Sequence, residues 1–225
     1  MNFLNLLKSM SLNIQKFKHV EEWKQAIFKI LDRLPDSSNI IVPGGETPLF
    51  LYEQYFNNRC LGSLVLSDER ITTNSLESNF ISISSLTSAN IFSLCKFPID
   101  DYKTIDLNEI STKLSLLDHP KLAILGLGED GHYASIFPNS LTLAEDTKGR
   151  VKITTKGNLT DQFRVSLSEN YIQMTNEIIF LIKGRSKSEI VGLIEGNASE
   201  IMHLPIGKLI KSYNGRLSVY YCPND

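Results

Sequence analysis

Long apolar runs are missing from this chain. No window approaches the roughly 18 residues that a membrane-crossing helix needs, so no membrane partner is expected. Cysteine is scarce as well. Cys60, Cys95 and Cys222 are odd in number and unrelated in spacing, which argues against a disulfide framework or a zinc site and for idle thiols in a reducing cytoplasm. The four histidines, at 19, 119, 132 and 203, have no ligand spacing between them, so no metal is expected. Met1 to Lys18 has lysines at 8, 16 and 18 but no apolar h-region and no small-residue cleavage site, so a cytoplasmic location is expected. Excess positive charge is absent too. A formal net charge of −2 gives no long-range attraction to nucleic acid or anionic lipid, although a local basic pocket for one small anion stays open. There is no G-x-S-x-G elbow, no repeat and no linker.

What is present alternates between short apolar runs and helical stripes. His19 to Leu34 places Val20, Trp23, Ile27, Ile30, Leu31 and Leu34 on one stripe, which predicts an amphipathic helix ended by Pro35. Ile40-Ile41-Val42 predicts a buried strand, and Leu49, Leu51, Tyr52 and Tyr55 a second helix with Thr47 as N-cap and Pro48 at its first position. Leu61 to Leu66, Leu122 to Leu125 and Ile178 to Ile182 read as further buried strands. Leu107 to Leu117, the segment around Ile190 to Ile194, and Pro205 to Tyr213 read as helices, with Leu217 to Cys222 as an edge strand. Val151 to Thr154 and Phe163 to Leu167 read as edge strands in a polar region, while residues 84–105 carry mixed signals that assign no element. Strands alternating with helices predict a single α/β domain over residues 1–225. Its sheet is expected to be doubly wound and mostly parallel, with helices on both sides in three Rossmann-like layers.

The chemistry gathers where those strands end, as it does in open α/β sheets. After Leu125 come glycines at 126, 128 and 131, with Asp130 and His132 inside the turn and apolar helix formers running on to Pro138. An imidazole next to a carboxylate can act as a general base. Gly126 to Gly131 matches G-x-G-x-x-G, but Pro138 interrupts the helix that a dinucleotide fingerprint requires. Ser135 reads as a local hydrogen-bonding residue rather than a nucleophile, since it stands in no strained elbow. The turn Pro43-Gly44-Gly45-Glu46-Thr47-Pro48 aims backbone N–H groups at an anion. Arg70 and Lys187 stand just past strand ends, and together with such a turn they suit a phosphate.

Taken together, these motifs resemble the 6-phosphogluconolactonase family, within the larger group shared with glucosamine-6-phosphate deaminases. The resemblance rests on Pro43 to Pro48, on Asp68-Glu69-Arg70 with Ser78-Asn79, on Gly126 to Pro138, on Arg164-Val165-Ser166-Leu167, and on Gly184 to Lys187. It implies hydrolysis of a sugar-phosphate lactone with His132 as base and Asp130 orienting it or holding a substrate hydroxyl. Gly44, Gly45, Thr47, Arg70, Arg164 and Lys187 would hold the phosphate and Asp68 sugar hydroxyls. The resemblance implies no cofactor, a small-molecule partner only, and a monomer or small homo-oligomer. A deaminase, whose motif carries a glutamate where this chain has Ser135-Ile136-Phe137-Pro138, and a non-catalytic sugar-phosphate binder are the alternatives. Where the family has serines, this chain has Pro43, which removes a donor, and Glu46, which repels phosphate unless it turns outward.

Overall fold

The computed structural model describes residues 12–59, 61–196 and 199–224, so Cys60 and residues 1–11 lie outside the described part. Its larger sheet is built from β1 (Leu12–Lys16), β2 (Ile40–Val42), β3 (Leu64–Leu66), β5 (Ile91–Phe92), β6 (Leu122–Gly126), β10 (Glu177–Lys183) and β11 (Arg216–Cys222). The spatial order is β1-β11-β10-β6-β2-β3-β5, and every pairing in it is parallel. A second sheet is antiparallel: β4 (Asp68–Arg70), β9 (Leu159–Leu167), β8 (Val151–Lys156) and β7 (Thr142–Glu145), in that order.

The apolar runs are continuous because the parallel strands are covered on both faces. Alternate residues of each strand go to opposite sides. Leu122, Ile124, Ile179 and Leu181 pack with Trp23, Ile27 and Leu31 of helix α1 (Val20–Leu31) and with Ile83 of α2 (Asn79–Ser84). Ala123, Leu125, Ile178 and Phe180 pack on the other face. There they meet α3 (Leu107–Ser115), α5 (Ser188–Glu195) and α6 (Pro205–Ser212), together with Val151, Ile153, Val165 and Leu167 of the antiparallel sheet. The short α4 (Glu169–Ile172) follows β9. The expected doubly wound, three-layer α/β architecture is present. Among the described residues no helix is long and apolar enough to cross a membrane.

Three expectations need correction. First, β11 is not an edge strand. β1 pairs with it in parallel, so Ser218 is buried, and the polar alternation read in the sequence reflects a neighbour rather than solvent. Second, residues 151–167 do not extend the main sheet; they form the antiparallel hairpin β8–β9, bordered by β7. Third, no helix follows Gly131. Tyr133 and Ile136 form an isolated bridge around a tight turn in which Ala134 takes φ +49°, and both flanking side chains are buried in the core. A left-handed residue ends any right-handed helix.

The chain runs outward from β2 to β3 and β5, then returns to β6 on the other side of β2. Strand order reverses between β2 and β6, and that crevice is where open sheets of this kind bind ligands.

Candidate active site

The turn after β2 lies at this crevice. Gly45 takes φ +83°, where an L side chain is strained, and a Cβ on Gly44 would come 1.9 Å from Asn79 Oδ1. Both glycines are therefore dictated by geometry. The N–H groups of Gly44 and Gly45 bond to no described residue, so both remain available to a ligand. Thr47 does not cap a helix. The Leu49 N–H goes to the Glu46 carbonyl in a tight turn, a π-helical turn follows at Leu51–Tyr55, and the Thr47 side chain stays at the crevice. Glu46 is exposed there.

The second segment, Ser67 to Arg70, is held by its own acids. Glu69 is 3% exposed, and its carboxylate accepts the N–H groups of Arg70 (2.7 Å), Asn79 (2.7 Å) and Phe80 (2.6 Å) and the Ser78 hydroxyl (3.2 Å). Burial pushes its carboxyl pKa up, against the pull of those backbone donors. Asp68 accepts the Ser67 hydroxyl on one oxygen and the Ser135 hydroxyl on the other, each at 2.7 Å. Ser135 thus reaches across the fold instead of bonding locally. Arg70 donates to Asn79 Oδ1 (2.6 Å) and to the Glu77 carbonyl (2.7 Å).

Arg70 stands directly opposite Arg164 on the antiparallel ladder. Like charges in that position are unfavourable by roughly 0.2–1 kcal/mol, and neither guanidinium has a carboxylate within ion-pair distance among the described residues. Burial lowers the Arg164 pKa, and the Arg70 charge lowers it further. An anion between them removes the repulsion.

The third segment carries the imidazole. His132 Nδ1 lies 2.5 Å from Asp130 Oδ1, so Nδ1–H donates to the carboxylate and Nε2 is the nitrogen left for other work. Partial burial pushes the Asp130 carboxyl up, but its hydrogen bonds and charge pairing with His132 outweigh this, and its pKa falls below the ordinary value. Gly128 makes the arrangement possible, because a Cβ there would lie 2.0 Å from His132 Nδ1. Phe137 packs on the imidazole with ring centroids 4.3 Å apart.

The fourth segment ends β10. Gly184 turns at φ +96°, and Lys187 Nζ lies 3.8 Å from Glu129 Oε1. These segments enclose a cavity of about 310 Å³. Every site residue expected from the sequence lines it except Asp130, which stands behind His132. Arg185, a further strand-end cation, is exposed and does not line it. Sequence reasoning missed Lys156 and Lys183, which also line the cavity. Each stands at the end of its strand, Lys183 closing β10 and Lys156 closing β8, two residues beyond Thr154, where the sequence reading ended that strand. Among the described residues no group of three or more His, Cys, Asp or Glu side chains could hold a metal ion.

Known proteins share this architecture. A "Probable 6-phosphogluconolactonase" from Dictyostelium discoideum is 28% identical over 93% of this chain and 96% of its own length. A 6-phosphogluconolactonase from Shewanella baltica OS155 superposes with a TM-score of 0.78 at 21% identity, covering 94% of this chain and 97% of that one. A monomeric glucosamine-6-phosphate deaminase superposes with a TM-score of 0.73 at 18% identity, covering 93% of this chain and 97% of its own. The family model for glucosamine-6-phosphate isomerases/6-phosphogluconolactonase matches residues 18–218, and this chain belongs to that family.

Proposed function

We propose that the chain hydrolyses 6-phospho-D-glucono-1,5-lactone to 6-phosphogluconate, the second step of the oxidative pentose phosphate pathway, as a cytoplasmic enzyme. The observation that carries this is the Asp130-backed imidazole of His132 on one side of a cavity whose other walls hold Arg70 and Arg164, neither of which has a carboxylate within ion-pair distance among the described residues. His132 Nε2 takes a proton from water as the water oxygen attacks the lactone carbonyl. The oxyanion that forms is met by backbone N–H groups of the turn at 126–131, beside the imidazole. Collapse breaks the bond between the carbonyl carbon and the ring oxygen, and the proton passes from His132 to that leaving oxygen. Asp130 holds the imidazole in one tautomer throughout. Arg70, Arg164 and Lys187 hold the phosphate with Gly44, Gly45 and Thr47, and Asp68, fixed by two serine hydroxyls, accepts a sugar hydroxyl. A ring ester is activated enough that no metal or organic cofactor is needed.

The test is the rate of lactone hydrolysis above the spontaneous background. Turnover on the lactone, with none on glucosamine 6-phosphate, is expected. Deamination of glucosamine 6-phosphate would instead assign the chain to the other branch of its family, whose fold it also shares. Inactivity on both, with ligand still raising the melting temperature, would leave a binding module.

Lys187→Ala bears on the phosphate. A hydrogen bond to a charged group contributes about 1.5–3 kcal/mol, so KM is expected to rise roughly ten- to a hundredfold with kcat changed far less. Steady-state kinetics decide this, and an unaltered KM removes Lys187 from the phosphate site.

A further inference from the structure

Behind the segment that carries His132 lies a second, larger cavity of about 550 Å³, sharing only Phe137 with the first. Its walls come from residues 133–142, from β8, from α4 and the residue after it, and from His203 and the length of α6. Tyr133 lines it. That residue is 1% exposed, yet its hydroxyl makes no hydrogen bond to any described residue. The hydroxyl is not sealed into the core, and the cavity that Tyr133 lines is the space from which a partner can come. Lys152 is almost wholly buried, with Nζ 2.7 Å from the Glu169 carboxylate, while Lys208 and His203 stand exposed on the same cavity. The Gln173 side-chain oxygen accepts the Ser212 hydroxyl at 2.9 Å, which leaves its NH₂ group to donate. Two lysines against one glutamate give the lining a positive balance. The volume falls in the range of small-molecule sites.

We propose that this cavity is a second binding site, taking a small molecule that carries an oxyanion group, phosphate or carboxylate, seated between Tyr133 and Lys208. The donors facing it are a phenol, an ammonium and an amide, all of which suit an oxyanion. Its floor is the catalytic segment itself. Phe137 lines both cavities and packs on His132, and the Gly131 carbonyl accepts the Ile206 N–H at 3.1 Å. An occupant therefore touches the segment that positions the imidazole.

The test is independent of turnover. Amide resonances of the full chain are followed while inorganic phosphate, and separately malonate, is added. Saturable shifts at residues 139–142 and 203–208 are expected with at least one probe, apart from any at residues 44–47. Lys208→Glu, an exposed position, and Tyr133→Phe, which keeps the ring, should each weaken the first set about tenfold and leave the second unchanged. Shifts confined to the active site, shifts that grow without saturating, or unaltered affinity in both variants would overturn the proposal.

Discussion

Replacing His132 with asparagine is expected to lower kcat for lactone hydrolysis by about two to four orders of magnitude, the usual contribution of a positioned general base. Asparagine is close to the imidazole in size and its amide can still donate to Asp130, so the turn should keep its shape. What is lost is the nitrogen that accepts the proton. KM should change little, because the phosphate is held on other segments. The measurement is steady-state hydrolysis above background, beside a thermal melt that should match the wild type. Turnover within a few-fold of wild type in a folded variant would remove His132 from the chemistry. A collapse in the melt would say instead that the Asp130–His132 contact is structural.

Glu69→Ala is expected to have the largest effect on stability. Glu69 is buried and serves the backbone N–H groups of Arg70, Asn79 and Phe80 at once. Removing its carboxylate leaves those donors facing a hole, and each unsatisfied buried group costs about 1–3 kcal/mol. Water entering the hole recovers part of that, so a net loss of about 3–5 kcal/mol is expected in denaturant unfolding. Activity should suffer too. Asn79 and Arg70 are seated by the same carboxylate, and Asn79 packs against the glycine turn so closely that Gly44 has no room for a Cβ. A loss below 1 kcal/mol would show that the segment is held by its neighbours rather than by Glu69. The raised Glu69 pKa has a consequence for pH. A carboxyl group raised on folding favours the fold when protonated. Its own contribution is therefore fully present below the pKa of the unfolded chain and is lost as pH rises through the folded value.

The parallel strands were legible because burial on both faces leaves an unbroken apolar run, as in Ile40–Val42 and Leu122–Leu125. β1, β5 and β7 were not legible. They are short border strands with partly or fully exposed side chains, so little hydrophobic pattern marks them. The helix expected after Gly131 failed because Tyr133, Ala134 and Ile136 suit a helix by composition. Their apolar side chains are instead core residues on either side of a reversal, which composition does not encode. Around the site, strand-end clusters such as Asp68-Glu69-Arg70 and Asp130-Gly131-His132 could be read directly, since their spacing is local. The Ser135–Asp68 hydrogen bond and the Arg70–Arg164 pairing span the fold and exist only through tertiary packing.

That arginine pairing has one more consequence. β4 follows directly on β3 of the parallel sheet, while β9 belongs to the hairpin, so the Arg70–Arg164 rung is part of the seam joining the two sheets. A dianion lying between the guanidiniums turns the most repulsive rung of that seam into a tie. Such a ligand would then strengthen the seam as well as fill the crevice, adding to the apolar core that Val151, Ile153, Val165 and Leu167 share with the parallel sheet.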